Sequence, residues 1–357
     1  MNISKDNYQI LFEEKKRKFS KTFKDRLSEN YFQSPYKGYR HRAEFSLMKV
    51  DTKICYAMTK EGKKEAVDSF PITSQKIQDL MNPVLECIRE YSEISEKLFQ
   101  IEFQSSRSED AMLTLIYHKE LKDDWIKIAS DLSSMLAISV IGRSKNQKII
   151  IGNEFVTETY RYLDREFSLK LYEQCFSQTN PYICDAMLHW VIENIDSSEG
   201  DIMELHCGLG TFTIPLSTVF QNVLATENSR PSIKALKENI YLNKRTNIYN
   251  ARLSGKETLE AYNGVRKFRR LSGVDLDQLK IDSVFLDPPR EGLDKFTIEN
   301  LTQIKNIVYI SCGFESFKRD LSILQKTHDI VNLAMFDQFP YTEHIESGVI
   351  LKKITKD

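Results

Sequence analysis

The chain has no paired cysteines. Its six cysteines, Cys55, Cys87, Cys175, Cys184, Cys207 and Cys312, are scattered through 357 residues without a Cys-x-x-Cys motif or a close grouping with histidine, which argues against a zinc module or an iron–sulfur cluster. A disulfide framework is not expected either, and most of these residues read as small buried apolar side chains. Long apolar runs are also missing: nothing approaches the roughly 20 residues needed to cross a bilayer. The opening Met1-Asn2-Ile3-Ser4-Lys5-Asp6 has no signal-peptide core, so a cytoplasmic location is the expectation. Net charge is lacking as well. With 50 Lys+Arg against 51 Asp+Glu the chain carries −1, so a nucleic-acid partner must be met by local basic patches and not by a general positive field. Finally, the turn Gly208-Leu209-Gly210 lacks the third glycine of a dinucleotide fingerprint, which disfavours an NAD-dependent oxidoreductase.

What is present suggests two domains, since 357 residues with 41% hydrophobic content exceed what one core usually organises. The first ~30 residues read as a charged helix in which Lys15-Lys16-Arg17-Lys18, followed by Lys21, Lys24 and Arg26, form a solvated face. Ser34 to Arg42 is turn-rich, basic and aromatic. Such interleaving can neutralise phosphate and stack on bases, which makes Arg40 and Arg42 candidate RNA contacts. Strand-like Leu98–Phe103 and Ala111–Tyr117 and a helical stretch from Ser74 to Tyr91 complete a region, residues 1–172, that reads as a smaller α+β RNA-recognition domain. Residues 173–357 alternate regularly: strands at Asp201–Leu205, Asn222–Glu227, Asp282–Leu286, Asn306–Ser311, Val331–Phe336 and Gly348–Lys352, with helices between them. That rhythm implies right-handed crossovers and a doubly wound, Rossmann-like α/β sheet.

Ligands of such sheets sit beyond the C-terminal ends of the strands. There the sequence places Cys312, after the apolar Val308-Tyr309-Ile310-Ser311, and Asp287, before the rigid Pro288-Pro289-Arg290. Glu346 lies further on. A thiol and two acids can act as nucleophile, positioner and base. The turn Glu204-Leu205-His206-Cys207-Gly208-Leu209-Gly210-Thr211 follows the first strand of the alternation, and Gly208 lets a ligand approach the backbone. Glu227 ends the next strand, where an acid can accept hydrogen bonds from both ribose hydroxyls. Without a pyrophosphate fingerprint, S-adenosyl-L-methionine fits this arrangement better than NAD.

Taken in order, these motifs resemble the bacterial tRNA (uracil-5-)-methyltransferases of the TrmA type. The resemblance runs from Ser34-Pro35 and Tyr39-Arg40-His41-Arg42-Ala43-Glu44-Phe45 through Asp68-Ser69-Phe70-Pro71, Leu98-Phe99-Gln100-Ile101 and Phe176-Ser177-Gln178-Thr179-Asn180. It continues over the glycine turn, Asp287-Pro288-Pro289-Arg290 and Ser311-Cys312 to Phe336-Asp337-Gln338-Phe339-Pro340-Tyr341-Thr342-Glu343-His344 and Glu346. It implies methylation of C5 of a tRNA T-loop uridine, position 54, to 5-methyluridine, through a covalent adduct of Cys312 with C6 and with Glu346 as base. It further implies S-adenosyl-L-methionine contacts at Gln178, His206, Thr211, Glu227 and Asp287, and an aromatic contact of Phe99 with the unfolded T-loop. The implied partner is the T-arm of tRNA, with tmRNA a second candidate; neither a membrane nor a metal is implied, and a monomer is expected. A ribosomal RNA 5-methyluridine methyltransferase and a non-catalytic tRNA-folding chaperone are the alternatives. The family commonly has Cys-Asn-Pro where this chain has Cys312-Gly313-Phe314, and Tyr, Asn and Asn where it has His206, Leu209 and Thr211.

Overall fold

Strands that are apolar along their whole length need cover on both faces. Asp201–Leu205, Val223–Thr226 and Asn306–Ser311 are buried at every position. They belong to an eight-stranded sheet in the order Asn30–Phe32, His328–Phe336, Glu346–Lys353, Asn306–Ser311, Ile281–Leu286, Asp201–Leu205, Val223–Thr226, Ile248–Ala251. All pairings are parallel except those of Glu346–Lys353, which runs antiparallel to both neighbours. Two of the intervening helices illustrate side-chain capping at their starts. Ser229 accepts from the Ser232 amide ahead of Arg230–Leu242, with Pro231 in the first turn, and Ser254 and Glu257 form a reciprocal capping box on Gly255–Tyr262.

In this computed structural model, which describes residues 3–23, 30–51, 53–60, 62–196 and 200–355, the chain forms two compact units. One comprises residues 1–34, 160–169 and 174–357, the other residues 35–159 and 170–173. A single cut between 172 and 173 therefore misplaces the N-terminus. The helix Lys5–Phe23 buries Tyr8, Phe12, Lys15 and Phe19, and Asn30–Phe32 adds a parallel edge strand opposite Ala334–Phe336. The helix is the one expected from the sequence, whereas the edge strand was hidden there, because a three-residue strand carries no readable alternation. The solvated-face reading of the basic run holds for Arg17 and Lys18, which are exposed, and fails for Lys15, which is 6% exposed. Lys24 and Arg26 lie outside the described residues.

The second unit is built on a seven-stranded sheet ordered Lys63–Val67, Lys53–Lys60, Arg42–Val50, Leu98–Ser105, Ala111–Tyr117, Ser139–Ser144, Gln147–Ile151. Helices Gln75–Glu90 and Asp123–Leu136 share its core, contributing Ile77, Leu80, Val84, Trp125 and Leu132. This is the α+β character expected of it. No helix among the described residues is long and apolar enough to cross a membrane.

One packing constraint lies close to the C-terminal rim of the larger sheet. A Cβ at Gly348 would stand 2.9 Å from Trp190 Cζ3 and 3.0 Å from Phe336 Cε2, tighter than carbon atoms tolerate. Gly348→Ala is expected to lower stability by about 1–3 kcal/mol, measured as a fall in the urea midpoint. An unchanged midpoint would show that the indole has room to move.

Candidate active site

The turn of chain direction at Glu346–Lys353 decides what meets at the rim. Parallel strands deliver their last residues there: Leu205 into the glycine turn, Thr226 into Glu227, Leu286 into Asp287, Ser311 into Cys312. An antiparallel strand delivers its first, which is Glu346. Ser311 is paired with Ser347, so the register carried one step further sets Cys312 across from Glu346. Both line a cavity of about 580 Å³ together with Gln178, Glu204, His206, Gly208, Thr211, Glu227, Asp287, Arg290 and Phe339. Every residue expected at the nucleophile, the base and the cofactor contacts thus borders one cavity.

Its backbone is shaped for close approach. His206, Gly208 and Gly210 all adopt positive φ, +61°, +55° and +103°; for His206 this is a strained conformation that a turn beside a ligand site commonly imposes. A Cβ at Gly210 would lie 2.7 Å from Leu236 Cδ1, whereas one at Gly208 would meet nothing within 4 Å. Glycine is thus required at 210 chiefly by a φ of +103° that other residues rarely adopt, while at 208 it leaves space open on the cavity wall. Glu227 accepts from the amides of Gly208 (3.2 Å) and Ser229 (2.7 Å), which holds its carboxylate at the strand end while leaving lone pairs for a diol. Gln178 donates to Asp287 Oδ2 at 3.5 Å and accepts from Gln338 Nε2 at 2.7 Å.

The electrostatics are dominated by buried acids. Burial pushes Glu204 up to about 8, with Asp287 and Glu227 adding to the rise, and pushes Asp287 up to about 7. Glu346 is raised well above the usual carboxylate range by burial and then by Asp287, with Arg290 opposing. Cys312 is pushed up to about 11 by burial, Glu346 and Asp287, while the charge and hydrogen bond of Arg290 pull it back. Burial lowers His206 against the opposing charges of Glu227 and Asp294. Glu204 Oε2 is buried with no hydrogen-bond partner. Four carboxyls facing one guanidinium, with an orphaned acceptor among them, suit a ligand that brings positive charge and hydrogen-bond donors. No group of three or more metal-ligating side chains occurs among the described residues.

Arg290, Glu204 and Gln338 were not read as site residues. Arg290 and Gln338 sat inside motifs already singled out. Glu204 was signalled by being an acid in the middle of a strand between apolar residues, Ile202-Met203-Glu204-Leu205. The departure at Gly313 also has a geometric basis: a Cβ there would collide with the Arg290 carbonyl oxygen and with Ser316 Oγ, and Ser316 Oγ donates to that same carbonyl at 2.7 Å. Glycine lets the Arg290 turn sit against the residue after the nucleophile. Cys312 is half-buried, in contrast to Cys87, Cys175, Cys184 and Cys207, which are buried.

The expected RNA contacts lie in the second unit. Phe99, 46% exposed, stacks on His118 with ring centroids 4.7 Å apart. Both line a cleft of about 900 Å³ with Lys119, Arg143 and Lys145. Arg42 is engaged within the unit, 3.2 Å from Glu102 and donating to the Glu173 carbonyl. Arg40 is half-buried, and its backbone bonds to Ile72 and Ser74. Phe99 is therefore the more accessible of the three.

A profile of the family described as tRNA (Uracil-5-)-methyltransferase matches residues 7–354. The chain is similar to proteins named tRNA/tmRNA (uracil-C(5))-methyltransferase. It is 42% identical over 355 residues to that of Teredinibacter turnerae, covering 98% of each chain. It is also 42% identical over 330 residues to that of Neisseria gonorrhoeae, covering 90% of this chain and 91% of the relative. Among solved structures it is similar to the Pyrococcus abyssi tRNA (uracil-54, C5)-methyltransferase in complex with S-adenosyl-L-homocysteine, with a TM-score of 0.72 over 97% of this chain and 83% of that one. At 21% identity that likeness speaks for the fold, and it bears out the doubly wound architecture.

The buried acids have a consequence for stability. Glu204 keeps its proton up to about pH 8 when folded and only to about 4.5 when unfolded. The unfolded chain releases that proton first as pH rises, so stability falls across this window. Glu204→Gln is expected to flatten the fall and raise the melting temperature at pH 8, followed by differential scanning fluorimetry from pH 5 to 8. Parallel curves for the two proteins would place the pH dependence elsewhere.

Proposed function

This chain belongs to the tRNA (uracil-5-)-methyltransferase family, and we propose that it methylates C5 of uridine 54 in the tRNA T-loop, with S-adenosyl-L-methionine as methyl source and tmRNA as a second substrate. The observation that carries this reading is the cross-strand placement of Cys312 and Glu346 on a cavity rich in buried carboxyls. A neutral nucleotide site has no use for that charge. A cofactor with a sulfonium, an ammonium and a ribose does: Glu227 is held ready for the ribose diol, and Glu204, Asp287 and Gln178 offer acceptors to the cationic part.

C5 of uracil is a weak nucleophile. The Cys312 thiolate corrects this by adding to C6, so that the electron pair of the C5–C6 double bond becomes an enolate with density at C5. S-adenosyl-L-methionine, when bound, supplies an electrophilic methyl group to that carbon. Glu346, ionised at that point and made a stronger base by its raised pKa, then removes the C5 proton, and the electrons of the broken C–H bond re-form the double bond as the Cys312 thiolate leaves. Arg290 supports the first and last steps by stabilising the thiolate against two neighbouring acids. The target base is stacked within folded RNA and has to be extruded to reach the cavity.

Incubation with a T-arm RNA carrying 5-fluorouridine at position 54 is expected to trap a covalent complex, because fluorine cannot leave as a cation. The complex should resist denaturing electrophoresis and be absent for Cys312→Ala. An adduct that survives the substitution would identify another nucleophile, and no adduct in the wild type would favour an RNA-folding role without catalysis. Trapping on a ribosomal RNA fragment and not on the T-arm would move the substrate to ribosomal RNA.

The charge on Arg290 gives a pH signature. Removing it lets the Cys312 pKa rise further, so Arg290→Gln should form the adduct about tenfold more slowly, the equivalent of one pKa unit, with a constant deficit at every pH well below the thiol's own pKa, while Arg290→Lys, which keeps the charge, should retain most of the rate. A deficit that disappears between pH 7 and 9, or an Arg290→Lys variant as slow as Arg290→Gln, would mean that Arg290 acts on something other than the thiol.

A further inference from the structure

A lysine nearly closed to solvent requires a partner, and Lys15 has one across 322 residues of sequence: its Nζ lies 2.6 Å from Asp337 Oδ1 and donates to the Phe339 carbonyl at 2.9 Å. Asp337 is 1% exposed. Burial pulls the Lys15 pKa down, while the charge and hydrogen bond of Asp337 oppose the fall. Its neighbours Arg17 and Lys18 remain at the surface, so the basic run singled out in the sequence contains one residue with a different task.

The segment that Lys15 grips, Asp337-Gln338-Phe339, links the strands His328–Phe336 and Glu346–Lys353 and borders the active-site cavity. Phe339 lines that cavity. Gln338 Nε2 donates to Gln178 Oε1 at 2.7 Å, and Gln178 donates onward to Asp287 at 3.5 Å. Other contacts tie the same segment to the N-terminal helix: Ser34 N donates to the Tyr8 hydroxyl (2.9 Å), and Asn180 donates to Ser34 Oγ (2.8 Å) and, weakly, to the Gln338 carbonyl (3.5 Å). An ion pair of this kind adds little net stability relative to apolar side chains of the same shape. What it does provide is a fixed position for the two carbonyl and carboxyl groups it joins.

We propose that Lys15 is a positioning residue of the active site. By holding Asp337 and the Phe339 carbonyl, it sets Phe339 in the cavity wall and Gln338 behind Gln178, and through Gln178 it orients the Asp287 carboxyl toward the cofactor. This rests on the assignment of the cavity as the S-adenosyl-L-methionine site. The helix Lys5–Phe23 is then part of the methyl-transfer machinery although none of its residues borders the cavity.

The test separates position from stability. Lys15→Met alone leaves a buried, unpaired Asp337 and should lose both stability and ligand affinity. The double variant Lys15→Met/Asp337→Leu removes the stranded charge and should return the melting temperature close to that of the wild type. It should still bind S-adenosyl-L-homocysteine about tenfold more weakly by calorimetry, the size of effect expected when a buried hydrogen-bonded arrangement is lost, and trap 5-fluorouridine RNA more slowly. Gln338→Met, which leaves the ion pair in place, should weaken the same binding with little change in melting temperature, and it serves as the second probe should the double variant fail to fold. Wild-type affinity in a folded double variant, or in Gln338→Met, would overturn the proposal while leaving Cys312 chemistry intact. A wild-type protein that binds no S-adenosyl-L-homocysteine would overturn the site assignment and this role with it.

Discussion

The meeting of thiol and base depends on one reversal of chain direction. In a sheet whose other strands run parallel, residues at the ligand-binding rim come from the C-terminal ends of those strands. Glu346–Lys353 enters the sheet between two such strands from the opposite direction, so its first residue reaches the rim from the other side. A parallel strand at that position would have placed Glu346 at the far edge of the sheet from Cys312. The chain reaches Glu346 through the Asp337–Ile345 segment, which explains why so many hydrogen bonds converge on it.

The second determinant is charge kept out of water. Glu204, Asp287 and Glu346 are all held above their ordinary pKa by burial, and protonation of any one of them reduces the cost of crowding. A cationic ligand relieves the same crowding by another route. The cavity is therefore least comfortable when empty at neutral to alkaline pH, and this discomfort is what a positively charged cofactor exchanges for binding. The thiol shares the environment, and the single guanidinium of Arg290 is the group that keeps it from being wholly suppressed.

Much of this was legible in the sequence, and the reasons are specific. Asp201–Leu205 and Asn306–Ser311 are rich in apolar residues because both faces are covered and every position is buried, and the sequence places them at the same bounds as the structure. Cys312, Asp287 and Glu227 were legible because strand ends in an alternating α/β chain point to one rim. Other features were not. Asn30–Phe32 and the half-exposed Ile248–Ala251 are too short for a pattern, and the split of residues 1–34 from the unit that follows them depends on contacts made more than 300 positions away. Lys15 looked like its neighbours, since a buried lysine differs from an exposed one only in its partner. Gln338 and Gln178 are joined by a hydrogen bond across 160 residues, which no local reading can find.

Gly313 extends the argument to how the chain can change. Because the Arg290 carbonyl occupies the space a Cβ would need there, and Ser316 fastens that carbonyl in place, the residue after the nucleophile and the turn after the double proline form a single unit of variation. A lineage that acquires asparagine at 313 has to re-route the Arg290 turn at the same time, and one that keeps glycine is free to draw the guanidinium inward. The two positions are expected to drift together, and their joint state sets how strongly the sulfur is held as an anion.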